Sequence, residues 1–196
     1  MGNAVACSVS KRHYIYRGRD NEEAPIETTE VTFDPSATHI GSGTFWGCTS
    51  IQAIHMPDTI THIGEMSFAG CTSLKAIRLS NNIQEIKSEA FAGCTSLNFV
   101  VIPPKVRVID KYTFSGCTSL KNVILPESVH TVEQCAFEEC SKLENINLPV
   151  NLTCIGQEAF RNCTNLQNIN LPDHLRSVGK DAFLNCHFDQ ELDSCA

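Results

Sequence analysis

Phe45, Phe68, Phe91, Phe114, Phe137, Phe160 and Phe183 stand 23 residues apart, with no insertion between any two of them. Three residues after each comes a cysteine: Cys48, Cys71, Cys94, Cys117, Cys140, Cys163 and Cys186. A period held this strictly leaves few folds open. A unit of 23 residues cannot bury its own apolar face, so it must stack on its neighbours and form a solenoid.

The other apolar columns set the register. Ile51, Leu74, Leu97, Leu120, Leu143 and Leu166 form one; the pairs Ile54/Met56, Ile77/Leu79, Val100/Ile102, Val123/Leu125, Ile146/Leu148 and Ile169/Leu171 follow. Within each pair the two residues are two positions apart, so both point inward while their neighbours point outward. This predicts seven strands, near 30–33, 53–56, 76–79, 99–102, 122–125, 145–148 and 168–171. Pro57, Pro103, Pro126, Pro149 and Pro172 end the strands, and Ser80 alone departs. The remaining half of each unit is expected to return as a turn with a short, poorly regular helix or strand. At roughly 4.8 Å per strand the stack spans about 30 Å. Gly47, Gly70, Gly93 and Gly116 give way to Glu139, Asn162 and Asn185. Asn is the usual substitute where φ is positive, so this column predicts a left-handed turn, with Glu139 strained or locally rearranged.

The composite motif "IGxxAFxGCTSLKxIxLPxxV" resembles the BspA-like (Treponema-type) leucine-rich repeat family over about residues 31 to 188. The resemblance implies a leucine-rich repeat solenoid with a parallel β-sheet on the concave face and irregular or short helical segments on the convex face. It also implies a non-enzymatic binding module, since relatives of this kind are known as surface proteins of bacteria and mucosal protists that act in adhesion. The expected organisation is an N-terminal arm at 1–12, a cap at 13–30, about 6–7 repeats at 31–188 and a tail at 189–196.

Charge and cysteine usage narrow the function classes. A formal charge of −7 argues against general nucleic-acid binding, which needs a basic face. Eleven cysteines would suit a secreted disulfide scaffold, but the opening residues lack the apolar core of a signal peptide. A reducing compartment, with the repeat cysteines acting as small buried apolar residues, is the expectation. Paired CxxC zinc spacing is missing, and Cys135 and Cys154 carry no motif. The histidines (His13, His39, His55, His62, His130, His174, His187) fall in different columns, so no catalytic or metal set recurs. "GSGTF" is a lone GxG without the rest of a phosphate loop. No enzyme, cofactor or metal is expected.

The start of the chain breaks the pattern. "MGNAVACS" places Gly2 behind the initiator Met and resembles an N-myristoylation signal, although Ala6 stands where the strict form has Ser or Thr. One acyl chain binds membranes only marginally. Cys7 is placed for palmitoylation, and Lys11, Arg12, Arg17 and Arg19 would contribute about 1 kcal/mol each at an anionic surface. The expectation is a module tethered to the cytoplasmic face of a membrane; the alternative is an adhesin-type surface protein exported without a signal peptide.

Period-2 geometry also identifies the outward strand positions. Phe99, Val101 and Ile124 should form an exposed apolar patch, with His55, Lys75, Arg78 and Lys121 close by and Asn122, Asn145 and Asn147 on the later strands. An apolar centre with a polar rim is the anatomy of a protein-binding surface. A protein partner is expected there, or a second copy of the chain in a homodimer.

Overall fold

The computed structural model describes residues 12–19, 21–167 and 169–187. Its strands in chain order are β1 (His13–Tyr16), β2 (Glu30–Phe33), β3 (His39–Ile40), β4 (Ala53–His55), β5 (His62–Ile63), β6 (Ala76–Arg78) and β7 (Glu85–Ile86). Then follow β8 (Phe99–Val101), β9 (Val108–Ile109), β10 (Asn122–Ile124), β11 (Thr131–Val132), β12 (Asn145–Asn147), β13 (Cys154–Ile155) and β14 (Ser177–Val178). From β2 to β13 longer and shorter strands alternate, and all pairings are parallel. The chain therefore winds as a solenoid with one long and one short strand in each turn.

The three-residue strands build the concave ladder, as β4–β6 and as β8–β10–β12. Partners lie one period apart: Ala53 opposite Ala76, and Phe99 opposite Asn122 opposite Asn145. The ladder is interrupted between β6 and β8. There Ile77 and Leu79 are only half-buried, whereas the equivalent Ile54 and Met56 are buried. The expected seventh strand at 168–171 does not form among the described residues; the concave ladder ends at β12, although Ile169 is buried.

Each proline turn closes by one backbone bond, such as the Ile60 N–H donating to the Pro57 carbonyl at 3.1 Å. Ser80 makes the same turn with the Ile83 N–H at 3.2 Å, and its Oγ accepts the Asn82 N–H at 3.0 Å. The exception in the proline column therefore keeps the backbone bond of the turn and adds a side-chain bond to it.

The returning half contains the two-residue strands β3–β5–β7 and β9–β11–β13–β14, and no helix forms among the described residues. Met66, Phe68 and Gly70 show why. Their N–H groups donate to the carbonyls of Ser88, Ala90 and Ala92 in the next turn, at 3.1, 2.8 and 2.7 Å. Donors committed across the stack are unavailable for a helix along the chain. The geometry requires positive φ at both ends of the segment. Gly47, Gly70, Gly93 and Gly116 have φ of 68–71°, and Glu139, Asn162 and Asn185 follow at 59°, 61° and 64°. Glu139 thus takes the strained alternative without rearrangement. A second left-handed column consists of Gly43, Met66, Glu89, Tyr112, Cys135, Glu158 and Asp181.

The core is a stack of rings. Phe45 through Phe183 lie with centroids 5.0–5.5 Å apart and planes within 11° of parallel. At the N-terminal end Tyr16 crosses the series, 5.7 Å from Phe45 at 55° and 5.8 Å from Phe33 at 76°. Its hydroxyl donates to the His39 carbonyl and accepts the Gly41 N–H, both at 3.0 Å. β1 pairs with β2 at an offset of 17 residues, outside the repeat period.

Candidate binding surface

The ladder register turns the outward strand positions into rows that run along the solenoid. His55 lies beside Arg78, and Val101 beside Ile124 and then Asn147. Phe99 lies beside Asn122 and then Asn145. Strands flank one another at about 4.8 Å, so Phe99, Val101 and Ile124 form one contiguous apolar patch, 43%, 46% and 53% exposed. Lys75 and Lys121 occupy equivalent positions just ahead of β6 and β10 and are exposed, as are His55, Arg78, Asn122, Asn145 and Asn147. The patch borders the interruption between β6 and β8, and its neighbours across that break are Ala76 and Arg78.

Of the residues expected at a membrane, Gly2, Cys7 and Lys11 lie outside the described residues. Arg12 pairs with Glu27 at 2.9 Å. The Arg17 guanidinium donates to the Ile15 carbonyl at 3.3 Å. The backbone N–H groups of Arg17 and Arg19 donate to the Glu22 carboxylate, which lowers its pKa despite partial burial. No helix among the described residues is long and apolar enough to cross a membrane.

Column reading of the sequence passed over two other features. Trp46 is 64% exposed, and it borders an open recess of about 550 Å³ with Glu23, Glu65 and Met66. The signal was available, since Trp46 is the single tryptophan of the chain and stands in a column otherwise filled by Ala69, Ala92, Ser115, Glu138, Arg161 and Leu184. The second is a polar cluster on the returning segments. Cys135, Glu138 and Glu158 bring one ligand atom each within 4.8 Å of one another. Arg161 spans the two carboxylates, 3.0 Å from Glu158 and 3.9 Å from Glu138. Burial, then the Glu138 charge, pushes the Cys135 thiol up to about 11. Arg161 thus bridges two carboxylates beside a protonated thiol, and the cluster is held together as an ion-pair network.

The repeat cysteines are buried from Cys48 to Cys163, and Cys186 is half-buried. Their thiols also bond, which the apolar-filler expectation omits. The Sγ atoms of Cys71, Cys94, Cys117, Cys140, Cys163 and Cys186 each donate to the carbonyl of the preceding turn's phenylalanine, at 3.1–3.2 Å. Burial raises the pKa of Cys94, Cys117 and Cys140, so these thiols stay protonated at neutral pH.

A family model described as BspA type leucine rich repeat region, in six copies, matches residues 24–120 and 85–192. Among solved structures, the T. pallidum leucine rich repeat protein aligns with a TM-score of 0.76 at 32% identity, over 82% of this chain and 76% of its own. A leucine rich cell surface protein from Faecalibacterium prausnitzii aligns with a TM-score of 0.67 at 35% identity, over 76% of this chain. This chain spans 39% of that protein's length. A leucine-rich repeat protein from Bacteroides ovatus aligns with a TM-score of 0.51 at 28% identity, over 82% of this chain and 53% of its own. The curated proteins contain no match.

Proposed function

Because the chain belongs to the BspA-type leucine-rich repeat family, we propose that it is a binding module rather than an enzyme, holding a protein partner against its concave ladder. The observation that carries this reading is the exposed trio Phe99, Val101 and Ile124 at the middle of the ladder. Burying such side chains on association releases roughly 25 cal/mol per Å² of apolar surface. Solenoids of one frame bind different ligands through side chains that vary from turn to turn, and this is where the copies differ.

A photoreactive residue placed at Val101, and another at Ile124, should cross-link the same protein in an extract of the native source. One placed at the exposed Gln157 on the returning segments should not. Equal labelling from all three positions would remove the concave site. Changing Phe99 and Ile124 together to Ser should leave the melting temperature nearly unchanged while abolishing the adduct.

For location, we infer a tether to the cytoplasmic face of a membrane through acylation of Gly2 and Cys7, assisted by Lys11, Arg12, Arg17 and Arg19. Two acyl signals with basic residues nearby is the combination that stable anchoring needs. Native protein should carry a myristoyl adduct on Gly2 in its mass spectrum, and Gly2→Ala should move it from the membrane to the soluble fraction. The surface-adhesin reading is favoured by one observation, the name of the F. prausnitzii relative as a cell surface protein. Labelling of intact cells by a membrane-impermeant reagent, with no adduct on Gly2, would select it.

A further inference from the structure

The chain carries a formal charge of −7, yet three cations stand in the rows around the apolar trio. Arg78 continues the row of Val101 and Ile124 across the break between β6 and β8. Lys75 and Lys121 belong to the row just ahead of the strands, one on each side of Asn98. All three are exposed. Their side chains have no ion pair or hydrogen bond among the described residues, whereas Arg12, Lys87 and Arg161 are paired with carboxylates. Unpaired cations around a desolvatable apolar patch favour a ligand that brings carboxylates with apolar side chains.

The remainder of the face narrows the ligand further. Past Lys121 the same row turns to Glu144, so the positive field is local. A polyanion that reads continuous charge would meet a carboxylate there. Asn122, Asn145 and Asn147 present adjacent amides on β10 and β12, and each amide offers both donor and acceptor to peptide groups.

Resting on the binding reading above, we propose that the concave face takes an extended peptide segment containing both acidic and apolar residues. Its apolar side chains lie on Phe99, Val101 and Ile124, its carboxylates meet Lys75, Arg78 and Lys121, and its backbone meets the asparagine amides.

The test uses the full chain on an array of synthetic 12-residue peptides in which acidic and apolar content vary independently. Peptides rich in both should be retained, whereas basic-apolar and acidic-polar peptides should not. Reversing the cations together, as Lys75→Glu, Arg78→Glu and Lys121→Glu, should weaken binding to the acidic-apolar peptides at least tenfold and shift preference to basic-apolar ones. Phe99→Ser with Ile124→Ser should abolish both. If the Ser pair abolishes binding while charge reversal changes nothing, the concave site stands and its acidic preference falls. If neither matters, the concave site itself falls. Retention of heparin as strongly as any peptide, insensitive to the Ser pair, would make this a polyanion surface and overturn the proposal. So would a stable dimer by light scattering that the Ser pair dissociates, since a second copy would then cover the face.

Discussion

The Cys117 Sγ donates to the carbonyl oxygen of Phe91, 3.2 Å away in the preceding turn. That oxygen also accepts the Cys94 N–H at 3.2 Å, so each cysteine ties its own turn to the one before. Cys117→Ala should therefore cost more than a methyl-sized cavity. The expected loss is about 1 kcal/mol for the bond, with a further contribution from the void. Cys117→Val replaces the thiol with greater bulk and should cost about 1–3 kcal/mol through overpacking. Urea unfolding of the two variants checks this; an Ala variant as stable as the parent would show that the thiol bond contributes nothing.

The buried thiols also set an alkaline limit. Burial pushes Cys48 up from 9.0 to about 11, and Cys94, Cys117 and Cys140 are raised as well. A raised folded pKa means that the unfolded chain releases its protons first. Stability is thus retained in full below the unfolded value and lost as pH climbs towards the folded one. Between pH 9 and about 11 each such thiol should lower stability by up to about 1.4 kcal/mol per pH unit. Denaturation midpoints at neutral pH and across that window should fall steeply, and less steeply for Cys117→Ala. A flat profile would contradict the burial of the column.

Glu139 holds φ at 59° in a column where Gly116 has 71°. A non-glycine residue there carries about 1–2 kcal/mol of strain. Glu139→Gly should stabilise the chain by about 0.5–1 kcal/mol, the relief being partly offset by the freedom of glycine in the unfolded state. The converse change, Gly116→Ala, should destabilise it by a similar amount. Thermal melts of the pair decide; a destabilised Glu139→Gly would mean that its side chain compensates for the strain.

Tyr16 closes the ring stack and carries two hydrogen bonds on its hydroxyl. Tyr16→Phe keeps the ring contacts with Phe33 and Phe45 but leaves the Gly41 N–H and His39 carbonyl short of a partner. The expected cost is about 1–3 kcal/mol. Hydrogen exchange should show the Gly41 amide losing protection first. Unchanged protection would mean that another group takes over the bond.

The sequence by itself determined the period, and in a solenoid the period is nearly the whole architecture. Once Phe45 and Phe68 are known to be equivalent, each column becomes a line through the stack. The inward pairs, the outward rows through Val101 and Ile124, and the left-handed turn at Gly116 then follow from residue type. The tertiary structure alone decided how backbone groups are shared between turns. Met66 sits in a left-handed column that its side chain does not announce, because its N–H must reach Ser88. The same sharing settled the returning half as two-residue strands, where a short helix or a strand was expected, and gave Cys117 a partner in Phe91. Peptide groups are alike at every residue, so the sequence carries no mark of which turn each N–H serves; only the stacking of the turns decides it.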